Sequence, residues 1–141
     1  MPAPVGAELD DQARIGRIIE VYGALARRDF VALQRLVGFD VALHVSGSSW
    51  LSGTFEGMGA VMALGTKIGN RLLQGESELH DIGVRDGRVE ADVTVCIPVR
   101  GEDEPFRAKL HESFALDASG HVEEIWIEAA DQARFDRFIG F

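Results

Sequence analysis

Two hydrophobic periods divide this 141-residue chain, and the change between them outlines its architecture. Ile15, Ile18, Ile19, Tyr22, Leu25 and Ala26 recur at intervals of three and four, the spacing of one apolar helical stripe. Arg14, Arg17, Glu20, Arg27 and Arg28 lie largely off that stripe. Asp10 and Asp11 suit the start of this helix, where free amides need acceptors and the dipole favours negative charge. Asp29 is placed to cap a second, short helix with Phe30, Leu33, Leu36 and Val37 turned inward. The period then drops to two. Val41, Leu43 and Val45 point one way, and Ala42, His44 and Ser46 the other, as in a half-buried strand.

Gly47-Ser48-Ser49 must turn the chain, and Trp50, Leu51 and Phe55 then put large apolar area into a loop-like segment. Loops of that kind tend to wall something in. Gly57 leads into a third helix, with Met58, Val61, Met62, Gly65, Ile68 and Leu72 at helical spacing. Its glycines at 59, 65 and 69 weaken it by up to ~1 kcal/mol each relative to Ala. They fit either close packing and adjustment to a ligand or simply a mediocre helix.

From Glu76 the period is two again. His80, Ile82 and Val84 alternate with Asp81, Gly83 and Arg85, and Asp86-Gly87 is a two-residue hairpin turn. The next strand runs from Val89 to Arg100 with Val89, Ala91, Val93, Val95, Ile97 and Val99 on one face. Gly101 to Pro105 is an acidic turn, Phe106 to Leu116 another strand, and Asp117-Ala118-Ser119-Gly120 turns it into Val122 to Ala130. The tail from Asp131 carries Phe135, Phe138, Ile139 and Phe141, which must dock on the body or on a second subunit. Helices followed by a meander of strands predict an α+β fold in one domain spanning residues 1–141, with helices laid on one face of a curved sheet and a pocket between them.

Composition adds exclusions. Hydrophobic residues make up 46% and charged residues 26%, as in ordinary globular chains. No apolar run approaches the ~20 residues that span a bilayer. MPAPVGAELDDQ lacks the basic and apolar regions of a secretory signal. A single cysteine, Cys96, excludes an internal disulfide and fits a reducing, cytoplasmic setting. The net charge of -9 argues against nucleic acid or an anionic membrane as partner. Acid is concentrated between Glu102 and Asp136, ten acids against three bases, whereas Arg14 to Arg35 holds five arginines against two acids. Two solvated faces of opposite tendency account for this.

One strand carries an anomaly. Phe106, Ala108, Leu110, Phe114 and Leu116 share a face, and Glu112 shares it with them. A carboxylate in an apolar row must find a partner or keep its proton, and a proton-bearing acid can donate a hydrogen bond or transfer the proton. The alternative is a Glu at a pocket mouth, solvated or paired with an arginine. His44 can serve as a base near neutral pH, or be satisfied by a backbone carbonyl. His80 and His111 read as sheet-surface residues, no histidine pair has metal-ligand spacing, and neither metal nor cofactor is expected. There is no nucleophile elbow, dinucleotide fingerprint or phosphate loop. Trp126 lies between Glu124 and Glu128, opposite Ile125 and Ile127, and so points outward at a subunit contact.

The element order, Tyr22 through Phe30, FDVALHVSGSSWLSGTFEG, and the closing ESFALDASGHVEEIW with DQARFDRF together resemble the SnoaL-like members of the nuclear transport factor 2-like superfamily, which includes ketosteroid isomerases and polyketide cyclases. The resemblance covers nearly the whole chain. It implies a cone-shaped fold with a curved mixed or antiparallel sheet, three helices from the amino-terminal half over its concave face, and a homodimer through the outer sheet face. Set against ketosteroid isomerase, His44 falls where that family keeps its aspartate base. Glu112 falls at the proton-bearing acid of the oxyanion hole, and Tyr22 close to its tyrosine. The two replacements of Asp shift the expectation from steroid isomerisation to acid–base work on another small apolar or polyketide-like molecule. On this reading Tyr22, His44 and Glu112 are catalytic, for an isomerase, cyclase or lyase. Trp50, Phe55, Met58 and Met62 line the pocket from one side. Leu110, Phe114, Ile125 and Ile127 line it from the sheet. Two other readings stay open: ligand binding without turnover, and a structural dimer whose pocket is filled by its own side chains.

Overall fold

The computed structural model describes residues 9–141, so most of the segment read as lacking a secretory signal lies outside the described residues. Helix α1 (Asp11–Arg27) begins at Asp10, whose carboxylate accepts from the Ala13 amide at 2.7 Å. It ends at Arg28, a non-glycine residue in the left-handed region (φ 57°, ψ 35°) whose N–H closes the last turn. Helix α2 (Phe30–Leu36) is capped by Asp29 as expected. Helix α3 (Met58–Arg71) and a carboxy-terminal helix, α4 (Gln132–Ile139), complete the helical layer, one more than expected.

Six strands form one open mixed sheet in the order β2-β1-β6-β5-β4-β3. They are β1 (Val37–Val45), β2 (Gly53–Glu56), β3 (Glu76–Arg85), β4 (Arg88–Ile97), β5 (Phe106–Leu116) and β6 (Val122–Ala129). β1 and β6 run parallel, and the other neighbours are antiparallel. β2 was not expected as a strand. It pairs Phe55 with Leu43 and makes the segment after Trp50 a short sheet edge. Asp86 and Gly87 both have positive φ, the geometry of the tight hairpin turn that their identity predicts.

The inner sheet face meets the helices. Ile18, Val21, Val41, Val89, Phe114 and Val122 are buried together beneath α1. The buried stripe of α1 is Ile18, Val21 and Ala24, whereas Ile19 and Leu25 are exposed, so the helix is rotated from the sequence expectation. β3 carries a bulge between Leu79 and Asp81. The extra residue changes the strand's parity, so Leu79 lies opposite Val93 on the inner side while His80 binds Thr94 on the outer side at 2.7 Å.

The tail docks on the body through Phe135, Phe138 and Ile139, whereas Phe141 stays exposed. Phe135 and Ile139 are buried with Val93, Ala108 and Leu110, and Phe138 stacks on Phe106 at 3.8 Å. A polar latch holds α4 to the turn after β1. Buried Asp136 accepts from the Ser48 N–H at 3.0 Å and from Gln132 Nε2 at 2.9 Å, and Gln132 also accepts from Ser46 Oγ. Gly47 crosses this latch at φ 101°, where an added Cβ would overlap the Asp136 and Gln132 side chains. No helix among the described residues is long and apolar enough to cross a membrane. Gly47→Ala should cost about 1–3 kcal/mol, read from denaturant midpoints. A loss under about 0.5 kcal/mol would show that the latch yields freely.

Candidate functional site

The register of the sheet places the anomalous carboxyl. Val45, Ile127, Glu112, Ala91 and Ile82 are successive partners across five strands, so Glu112 is the one polar side chain in an inner-face row of apolar residues. Tyr22, on the sheet side of α1, donates its hydroxyl proton to Glu112 Oε1 at 2.5 Å. Its ring is fixed edge-on to Phe114, with centroids 5.9 Å apart and planes at 86°. Burial raises the Glu112 pKa from the ordinary 4.5, while the Tyr22 hydrogen bond and the His111 charge pull it the other way. Burial and the neighbouring Glu112 push the Tyr22 hydroxyl up as well, so it stays a donor.

These two groups border a cleft. Its first chamber, about 400 Å³, lies between α1 and the β3–β4–β5 side of the sheet, with Leu25, Leu79 and Val93 as its apolar walls. A second chamber of about 510 Å³ opens toward α3 and is bounded by Phe30, Ile68 and Leu73. The two meet at Arg28 and Gln74–Ser77. Both volumes fall in the range of ordinary small-molecule pockets. Leu25, Phe30, Leu73 and Leu79, all large and exposed, sit at this cleft. Gly75 allows it to form, since a Cβ there would press on the Cys96 carbonyl at 2.8 Å.

Tyr22 and Glu112 therefore come together as expected, but His44 does not join them. It lies on the opposite, outer face, paired across β1–β6 with Trp126 and stacked on that ring at 5.6 Å. Nε2 contacts Glu124 at 2.6 Å and Nδ1 contacts Thr54 Oγ1 at 2.9 Å. The expected pocket lining also moves. Leu110 and Ile127 pack with Phe135, Ile139 and Trp50, and Phe114 and Ile125 belong to the core beneath α1. Phe55 packs against Leu43, Val45 and Leu64, while Met58 is partly buried and Met62 exposed on α3. Trp50 donates Nε1–H to the Ile139 carbonyl at 2.7 Å. None of these eight borders the cleft; Leu110, Ile127 and Trp50 are covered by Phe135 and Ile139 of α4, and the other five lie beneath α1, against β1 or on α3. Residues missed from the sequence, Leu25, Arg28, Gln74, Glu76 and Leu79 among them, left a faint signal at most, apolar positions at strand and helix ends.

No protein-family model matches the sequence, and no curated protein matches it significantly. Solved structures do match. The protein Bal32a from a soil-derived mobile gene cassette superposes with a TM-score of 0.82 at 19% identity, over 92% of this chain and 98% of that one. A nuclear transport factor 2-like protein of unknown function from Burkholderia pseudomallei gives 0.79 at 17% identity, over 90% and 97%. TerC, co-crystallised with polyporic acid, gives 0.79 at 17% identity, over 90% and 98%. The chain adopts the nuclear transport factor 2-like fold. At these identities the likeness is one of backbone fold, and the chemistry of the cleft rests on this chain's own side chains.

Among the described residues no group of three or more His, Cys, Asp or Glu side chains is placed to hold a metal ion. The titratable core of the cleft is Glu112. Its folded-state pKa lies above the unfolded value, so the folded chain binds that proton more tightly. The stability it contributes is complete below the ordinary carboxylate pKa and is lost as pH rises through the raised one. Glu112→Gln should consequently gain stability relative to the wild type as pH climbs from about 4.5. Urea midpoints of both proteins across a pH series check this, and a difference that stays constant with pH would contradict it.

Proposed function

We propose that the cleft takes a small, largely apolar molecule and that Glu112, positioned by Tyr22, meets an oxygen atom of that molecule with its carboxyl proton. The observation behind this reading is the 2.5 Å Tyr22–Glu112 bond at the inner wall of the cleft. Tyr22 occupies Oε1, so the proton of neutral Glu112 on Oε2 is free to be donated to a carbonyl oxygen. A donor aimed at such an oxygen in a water-poor site stabilises charge developing there, the requirement of an isomerase, cyclase or lyase working through an enolate. Solved neighbours of the fold include an LEH-like epoxide hydrolase from M. tuberculosis, with a TM-score of 0.68 at 15% identity. We take a polyketide-like or other apolar carbonyl compound as the substrate class, since a carboxyl proton would meet its carbonyl oxygen. His44, as the notable histidine of the sequence, has no part in this reading because it faces away.

The second reading, binding without turnover, draws on one specific observation: among the described residues no histidine borders the cleft to act as the partner base, and the other carboxylate on it, Glu76, lies at the junction of the chambers. The two readings separate on 2-acetylnaphthalene, a neutral apolar ketone. If Glu112 donates to the carbonyl, affinity falls as pH rises through the Glu112 pKa. Glu112→Gln, which keeps an N–H donor, binds without that pH dependence. Since the Tyr22 hydrogen bond lowers the Glu112 pKa, Tyr22→Phe moves the midpoint to higher pH. Titration fluorescence gives these curves, and pH-independent binding by the wild type would defeat the assignment. Deuterium uptake at the methyl group of the ketone, followed by NMR, then tells catalysis from binding alone.

For the assembly, we propose a homodimer through the outer sheet face, where Arg88 lies 4.0 Å over Trp126 beside His44. Trp126→Glu should shift the mass in sedimentation from two chains to one, and a wild type that sediments as one chain would remove the proposal. The free Cys96 goes with a reducing, cytoplasmic setting.

A further inference from the structure

The junction of the two chambers holds a guanidinium in an unusual position. Arg28 occupies the left-handed residue that ends α1, a place that favours glycine or asparagine. A glycine would close the helix with less strain, so the side chain is what this residue adds. That side chain borders both chambers. The Gln74 carboxamide, turned with its oxygen toward Arg28, accepts from Nη2 at 2.9 Å and from Nε at 3.1 Å. This neutral partner orients the guanidinium without neutralising it. In a chain of net charge -9, no described carboxylate lies within ion-pair distance of it, although Glu76 lines the same junction. Arg28 and Glu112 both line the first chamber, together with Leu25, Leu79 and Val93.

The cleft thus carries two polar groups with distinct roles, beside a lining that includes Gln74, Glu76 and Ser77 as well as the apolar Leu25, Leu79 and Val93. One is a carboxyl that can donate to a neutral oxygen, and the other is a guanidinium with no carboxylate within ion-pair distance among the described residues. We propose that the occupant is an apolar carboxylic acid, whose carboxylate pairs with Arg28 while its carbonyl end reaches Glu112. An Arg–carboxylate pair can be bidentate, and guanidinium is weakly hydrated, so it suits an anion arriving at an apolar mouth. This inference rests on the functional reading above and adds the charge of the ligand to it.

The test compares 6-acetyl-2-naphthoate with 2-acetylnaphthalene, which share the ring and ketone and differ by the carboxylate. Calorimetry should show the acid binding wild type about tenfold tighter, an advantage that shrinks as salt is raised. Arg28→Gln should abolish the advantage by weakening the acid far more than 2-acetylnaphthalene. Arg28→Gly, whose residue favours the left-handed conformation, repeats the measurement in a chain expected to melt at or above the wild-type temperature. Arg28→Lys should keep part of the advantage. Equal affinity for the two probes with a normal Glu112 pH dependence would overturn this inference and leave the functional reading standing. Equal weakening of both probes by Arg28→Gly would do the same. Failure of both probes to bind would overturn the two together.

Discussion

A carboxyl group set in a row of apolar side chains is the constraint around which this protein is arranged. In the row Val45–Ile127–Glu112–Ala91–Ile82, only a donor delivered from the helical layer can satisfy Glu112 without admitting bulk water. Tyr22 is that donor, and its hydroxyl must arrive within hydrogen-bond reach. The rotation of α1 follows. Ile18 and Val21 go down onto the sheet, and Leu25 and Ala26, one turn beyond Tyr22, come out along the cleft. The bond therefore marks a border. On one side lies close-packed core, on the other the space a ligand can occupy.

The two faces of the sheet divide the ionisable groups between them. The outer face spends its imidazoles on local partners: His44 on Glu124 and Thr54, His111 on Asp92, His80 on Thr94. Exposed pairs of this kind contribute little to stability, and they satisfy the polar side chains of a broad strand surface. The inner face holds Glu112 alone in its row, and there one proton matters more because the surroundings screen it less.

The parts of this architecture visible in the sequence were those set by local chemistry. The Asp10 and Asp29 caps, the Asp86-Gly87 turn and the bounds of β5 follow from residue type and period, and the same period put Glu112 in its apolar row. What tertiary contact decides was not visible: the bulge that turns Leu79 inward, the pairing that makes β2 a strand, the rotation of α1 and the covering of Leu110, Ile127 and Trp50 by α4. His44 is the instructive residue. The alternation of Asp40 to Ser46 sets it opposite Val41, Leu43 and Val45, and hence away from the face that carries Glu112. Its place at the strand's end beside the Trp50–Phe55 segment, and then the register of ketosteroid isomerase, put it in the pocket. A strand's two-residue period was the stronger guide, because a side chain cannot cross the sheet without a bulge, and β1 has none near His44.

The parallel pairing of β1 with β6 has a consequence for how the molecule comes into being. β1 lies second from one edge of the sheet, yet its inner neighbour is supplied by residues 122–129, near the carboxy terminus. While the ribosome is still making the middle of the chain, β1 has only β2 beside it, and its apolar face has no completed sheet to join. The nascent chain must carry that open seam until β6 emerges, so the sheet closes only after its five other strands have been made.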